Sequence, residues 1–169
     1  MGINTYFYQN FTEMIAFIGE YLCRIDNKGR IMLPAAFKRQ LPDEGSCRFV
    51  IKRDIYEPCL ELYPMEEWER QQKLLLKNIN PYDPEHRQFL RDFHAGAVEV
   101  TTDRTNRILL PARLIRQIGL ESDVILLGGI GKIEIWDAKA YDTIGGTTEE
   151  KADRAKRIMQ HATYNLDDL

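Results

Sequence analysis

At 169 residues, 44% of them hydrophobic and 29% charged, the chain has a globular composition with room for one domain or two small ones. Its net charge of −3 argues against a uniformly basic surface, and no run approaches the roughly 18 apolar residues of a membrane-spanning helix. Three widely spaced cysteines, Cys23, Cys47 and Cys59, fit reduced thiols and exclude a disulfide frame. The start, Met1 to Tyr6, lacks a basic stretch followed by an apolar one, so no secretory signal is read and a cytoplasmic location is expected.

Residues 1–14 read as an N-terminal extension, since Tyr6, Phe7, Tyr8 and Phe11 follow no clean period. The β-branched and aromatic stretch Ile15 to Ile25 predicts a strand bent at Gly19. Asp26-Asn-Lys-Gly29 predicts a turn, and Arg30 to Leu33 a second short strand. Pro34 suits the first position of a helix, which runs to Leu41 and stops at Pro42. Cys47 to Arg53 and Cys59 to Tyr63 are two further strands, joined by a loop at Asp54 to Pro58.

The next segment is helical. Met65 to Lys77 is rich in Glu, Gln, Lys and Leu, with an apolar stripe expected from Met65, Trp68, Leu75 and Leu76. Glu66 and Glu67 suit the first turn, where they favour the helix dipole. Asn80 to Pro84 breaks the helix, and Asp83 caps a second one that reaches His94. Strands then recur at Ala97 to Thr101 and Arg107 to Leu110. A helix follows at Pro111 to Ile118, then strands at Asp123 to Leu127 and Lys132 to Trp136. Gly128-Gly-Ile-Gly131 reads as a tight hairpin and not as a phosphate loop, because no Lys-Ser/Thr follows it. Asp137 caps a short helix to Ile144. Thr148 opens a charged last helix to Ala162, and Asn165 to Leu169 is expected to be mobile.

The chain contains a repeat. Asp26-Asn-Lys-Gly-Arg-Ile-Met-Leu-Pro-Ala35 returns as Asp103-Arg-Thr-Asn-Arg-Ile-Leu-Leu-Pro-Ala112, at an offset of 77 (103 − 26) with Asp, Arg, Ile, Leu, Pro and Ala unchanged. Leu60-Glu-Leu-Tyr63 then matches Ile133-Glu-Ile-Trp136 at an offset of 73 (133 − 60), so copy two is four residues shorter in its middle. A single copy of about 50 residues is near the lower limit for an independent core, which a core shared by two copies escapes. The expected division is an extension over 1–14, repeat one over 15–64, a helical connector over 65–96, repeat two over 97–141 and a C-terminal helix and tail over 142–169.

Catalysis has little support. His86, His94 and His161 lie apart along helical segments and read as surface residues, with no metal-ligand spacing and no C-x-x-C. No enzyme activity, cofactor, metal or small-molecule substrate is expected. The repeated Asp-x-x-x-Arg admits two readings. In one, Asp26 and Asp103 satisfy turn amides and pair with Arg30 and Arg107, while Gly29 and Asn106 tolerate a left-handed backbone. In the other, Lys28 and Arg30 meet phosphates or base edges, for which arginine's planar fork is suited. The two turns lie in locally basic stretches, +4 over Leu22 to Asp54 and +3 over Thr101 to Leu120.

The doubled Asp-x-x-x-Arg-Ile-x-Leu-Pro-Ala, together with Cys59-Leu-Glu-Leu-Tyr-Pro-x-x-x-Trp68, resembles the MraZ family of bacterial transcriptional regulators, over roughly Met14 to Ile144. The resemblance implies an α+β, mainly β fold: a pseudo-twofold, double-split swapped-hairpin barrel of two AbrB-like repeats with flanking helices. It also implies a cytoplasmic, nucleoid-associated homo-oligomer, a ring, that binds tandem repeats of double-stranded DNA in the promoter of the division and cell-wall gene cluster. The family's DNA-contacting arginine maps to Arg30 and its copy to Arg107, with Lys28, Asn27 and Arg104 beside them. Copy two departs from the pattern by carrying Thr105 for Lys28 and Asn106 for Gly29. Residues before Met14 precede the usual start of family members. A ring-shaped interaction scaffold without specific DNA binding is the alternative.

Overall fold

The computed structural model describes residues 15–41, 45 and 47–160; the expected extension, the helix stop at Pro42, His161 and the tail from Asn165 to Leu169 lie outside them. The described chain is a mixed α+β fold built mainly of antiparallel sheet. Its strands are β1 (Glu20–Arg24), β2 (Arg30–Met32), β3 (Arg48–Arg53), β4 (Leu60–Pro64), β5 (Val98–Thr101), β6 (Arg107–Leu109), β7 (Asp123–Gly128) and β8 (Ile133–Asp137). Its helices are α1 (Ala35–Lys38), α2 (Met65–Asn78), α3 (Pro84–His94), α4 (Ala112–Ile118), α5 (Ala138–Tyr141) and α6 (Thr148–Met159). Two compact units divide between Ala138 and Lys139.

Six strands pair in the order β1-β7-β8-β4-β3-β5, and β2 pairs with β6 in a separate ribbon. Exchanging the copies (β1 with β5, β3 with β7, β4 with β8) reverses this order onto itself, so the topology carries a pseudo-twofold. Each copy also lends its first strand to the other: β1 pairs with β7, and β5 with β3. The registers agree residue by residue. Cys23 faces Val124 just as Val100 faces Phe49. That equivalence sets Phe49 against Val124 at an offset of 75 (124 − 49). The missing four residues are therefore split: two are lost before the third strand, and two in the turn to the fourth.

Alternation places Phe49, Ile51, Leu60, Leu62, Val124, Leu126, Ile133 and Ile135 on one face of the six-stranded sheet, all buried. They pack into one core with Ile31 and Ile108 of the ribbon and with Phe37 and Leu114 of α1 and α4. The predicted first strand is interrupted at Gly19, whose φ of +131° and proximity to the Tyr21 ring leave no room for a side chain. Gly128 is needed for another reason: a Cβ there would stand 2.7 Å from the Phe17 carbonyl oxygen.

Several local expectations shift. Pro34 and Pro111 are the residues before α1 and α4, not their first helical residues. Thr148 opens α6 as read, and Thr147 before it forms a capping box with Glu150. Asp137 ends β8, and its Oδ1 accepts from the Glu121 amide at 2.9 Å. In α2, Leu76 is 79% exposed, because it lies about 100° around the helix from Leu75. The inner line runs through Trp68, Gln72 and Leu75, which are partly buried. Glu67 does more than favour a dipole: it is buried, ion-pairs with Arg70 at 2.9 Å and lies against Gly131. His94 packs edge-on to Trp68 and Phe93 and meets Gln72 Oε1 through Nε2 at 2.6 Å.

Under α2 and α3 the outer sheet face holds a charged cluster. Lys52, 1% exposed, donates to Glu61 Oε1 at 3.0 Å and lies 4.5 Å from the centre of the Phe93 ring. Tyr63 and Lys132 both donate to Glu61 Oε2. Burial opposes ionisation of Glu61, but the bonds from Lys132 and Tyr63 and the charges of Lys52 and Lys132 outweigh it and hold the carboxyl below its ordinary range.

Glu61→Leu leaves Lys52 buried without its carboxylate and should cost about 3–5 kcal/mol in urea unfolding. The contribution of Glu61 is complete above about pH 4.3 and declines as pH falls through the lower folded value, so the variant should show a flatter acid limb than the parent. Gly128→Ala should cost about 1–3 kcal/mol, read as a lower urea midpoint, because the segment before β1 that carries Phe17 must move; an unchanged midpoint would contradict the packing at that glycine.

Candidate nucleic-acid interface

Both copies of the Asp-x-x-x-Arg motif fold into the same hydrogen-bonded turn. In copy one, Asp26 Oδ1 accepts from the amides of Lys28 (2.9 Å) and Arg30 (3.0 Å), and Oδ2 accepts from Arg30 Nε (2.8 Å). In copy two, Asp103 Oδ1 accepts from the amides of Thr105 (2.9 Å) and Arg107 (3.0 Å), and Oδ2 accepts from Arg107 Nε (2.9 Å). The main chain closes both turns in the same way, Arg30 O accepting from Asp26 N and Arg107 O from Asp103 N, each at 2.9 Å. The Arg30 amide bond, with further bonds from Lys28 and the Arg30 side chain, keeps the Asp26 carboxyl below its ordinary range. Asp103 is likewise held below its ordinary range, first by the Arg107 amide and then by the bonds from Thr105.

The spacing explains the turn. A carboxylate reaches amides two and four residues ahead only if the chain reverses, and reversal needs a left-handed residue near its end. Gly29 supplies φ +82° and Asn106 supplies φ +60°, the only positive φ at a non-glycine among the described residues. The turns also interlock. The Gly29 carbonyl accepts from Leu110 N at 2.9 Å, and the Asn106 carbonyl from Leu33 N at 2.8 Å.

Pairing of β2 with β6 sets Arg30 opposite Leu109 and Met32 opposite Arg107. Ile31 and Ile108 between them are fully buried. By strand alternation the two arginines therefore share the ribbon face away from the core, as diagonal neighbours, with exposed Met32 and Leu109 beside them. Their side chains are 25% and 33% exposed. Each Nε is tied to its own aspartate; among the described residues the Nη groups make no hydrogen bond. Asn27, Lys28 and Arg104 are exposed on the adjoining turns. The ribbon thus unites residues 77 apart, through a pairing of copies that the repeat alone does not specify.

The broader basic stretches do not form one face. Lys52 is buried against Glu61, Arg24 pairs with Asp123 at 3.2 Å and Arg48 with Glu99 at 2.8 Å. These three cations serve sheet contacts. Sequence reading also missed Lys38, whose Nζ donates to Asn106 Oδ1 at 2.6 Å across the two copies. The cysteines carry free thiols, and burial raises those of Cys23 and Cys59. Among the described residues no group of three or more His, Cys, Asp or Glu is placed to hold a metal, and no helix is long and apolar enough to cross a membrane.

Comparison with known proteins agrees with the doubled turn. Residues 16–92 and 93–161 each match the family described as "MraZ protein, putative antitoxin-like". A protein of Christiangramia forsetii named transcriptional regulator MraZ is 40% identical over 153 residues, covering 90% of this chain and 98% of its own length. Proteins of the same name from Flavobacterium psychrophilum and Acetivibrio thermocellus are 35% and 34% identical, covering 86% and 85% of this chain and 93% and 96% of their own. These relatives are named as regulators, not as enzymes. With two successive matches spanning most of its length, each containing one Asp-x-x-x-Arg turn, the chain belongs to the MraZ family.

Proposed function

We propose that the chain is a transcriptional regulator that binds double-stranded DNA sequence-specifically through the β2–β6 ribbon and its two turns. One observation carries this reading: the two arginines lie on one face with their Nε atoms already bonded to aspartates, so each fork is oriented before a ligand arrives. A preorganised guanidinium loses less freedom on binding than a mobile one, and its Nη pair fits a phosphate or the O6/N7 edge of guanine. Arg30 is the principal reader and Arg107 its counterpart. Lys28, Asn27 and Arg104 supply backbone contacts, while Asp26, Gly29, Asp103 and Asn106 hold the turns. The names of the relatives support regulation of transcription. The target follows from the family resemblance: tandem repeats in the promoter of the division and cell-wall gene cluster, met at the nucleoid.

The exchanged strands support a swapped-hairpin barrel of two AbrB-like repeats, read over 15–64 and 97–141 with the connector over 65–96 between them and residues 142–169 after. A single ribbon makes few phosphate contacts, each modest and salt-sensitive. Assembly of several copies into a ring presents the ribbon repeatedly, and linked contacts multiply affinity when DNA repeat spacing matches subunit spacing.

Arg30→Ala should weaken binding to a labelled promoter fragment at least tenfold while elution on sizing chromatography stays unchanged; undiminished binding would remove Arg30 from the interface. In fluorescence anisotropy, the parent protein should hold that fragment against excess unrelated DNA and weaken as salt rises. Equal displacement by unrelated DNA would favour the ring-shaped interaction scaffold instead.

A further inference from the structure

We propose that Lys38, on the helix of copy one, is the positioning residue for the DNA-binding turn of copy two. The effect on DNA rests on the function proposed above; the effect on the turn does not.

The two turns reach the same backbone by different means. At the first, glycine adopts φ +82° at no steric cost. At the second, a side-chain-bearing residue holds φ +60°, a conformation that Asn reaches with help from a local hydrogen bond of its side chain. Lys38 Nζ donates to Asn106 Oδ1 at 2.6 Å, in a partly buried contact. The pseudo-twofold counterpart of Lys38 is Ile115, at the same offset of 77 (115 − 38). Ile115 lies near Gly29, its Cδ1 3.7 Å from where a Cβ would be. One half thus pairs Gly29 with Ile115, and the other pairs Asn106 with Lys38. The asparagine and the lysine form a matched replacement, made across copies.

Lys38 is well placed for this work. Its neighbour Phe37 is fully buried, with the rings of Phe17 and Tyr21 edge-on at 5.6 and 5.1 Å. Gln40 ties the same segment to the chain before β1, accepting from Ile18 N at 3.2 Å and donating to Ala16 O at 2.6 Å. The ammonium is therefore presented from a fixed base. Its partner Asn106 immediately precedes Arg107 and gives its carbonyl to Leu33 N. Loss of the left-handed conformation at Asn106 would swing the Arg107 fork out of register with Asp103.

The test is a double-mutant cycle of Lys38→Met and Asn106→Gly, with two readouts. In thermal unfolding, K38M alone should lower Tm by about 2–4 °C. N106G should remove that sensitivity, so that K38M/N106G melts with N106G. Equal Tm losses from K38M in both backgrounds would overturn the proposal, whatever the protein does with DNA. In anisotropy with the promoter fragment, K38M should weaken binding about tenfold, and K38M/N106G should recover the affinity of N106G. If Lys38 instead touches phosphate, N106G fails to rescue and the slope of log K against log salt falls by about one in both backgrounds. A parent protein that binds no fragment specifically would refute the DNA reading alone, leaving the Tm cycle to decide the role of Lys38.

Discussion

The exchange of first strands between the two copies is the constraint on which the rest of the structure depends. A unit of about 50 residues exposes too much of its surface to hold a core alone. Here β1 completes the sheet edge beside β7, β5 does the same beside β3, and β2 meets β6. Neither copy can be removed without stripping strands from the other. The same exchange carries the two motif turns to opposite ends of one short ribbon, where their carbonyls cross-bond to Leu110 and Leu33. The shared core and the shared ribbon that carries both turns thus have one cause.

Within that frame each turn is solved locally and almost identically, through three bonds to one carboxylate with matching distances. An arginine restrained at Nε by a neighbour that stays ionised over the ordinary pH range keeps both charge and aim. The copies share these bonds and diverge in the side chains of the turn residues. Thr105 spends its hydroxyl on Asp103, where Lys28 stands exposed. Under the function proposed, unequal halves of a duplicated interface have reason to read an asymmetric sequence.

The symmetry is also broken at the sheet centre. Glu61 and Glu134 face one another in the β4–β8 register, an arrangement that repels unless cations intervene. Lys52 and Lys132 intervene at Glu61, while the Cys59 thiol donates to Glu134 at 3.7 Å. The mate of Lys52 in copy two is Leu127, through the same register that pairs Phe49 with Val124. Only the half roofed by α2 and α3 therefore buries a lysine there, and the Phe93 ring of the connector covers it. A buried ion cluster contributes little net stability; what it supplies is a fixed seat for the connector over one half of the sheet.

Features governed by short range were legible in the amino-acid order. Six identities at one offset revealed the duplication. Asp-x-x-x-Arg placed donor and acceptor within reach of one turn, alternation marked Phe49 and Ile51 for the core, and Asp83 before Pro84 marked a helix start. Those depend on neighbours a few residues away, and φ/ψ preference and side-chain reach settle them. The tertiary structure alone decided which copy's strand lies beside which, that Lys52, Arg24 and Arg48 are spent on internal contacts, that Leu76 faces outward, and that Lys38 meets Asn106 across 68 residues. Each of these turns on chain crossings and on competition among cations for the same carboxylates. A linear pattern carries the chemical capacity for such contacts, but only packing selects the partner.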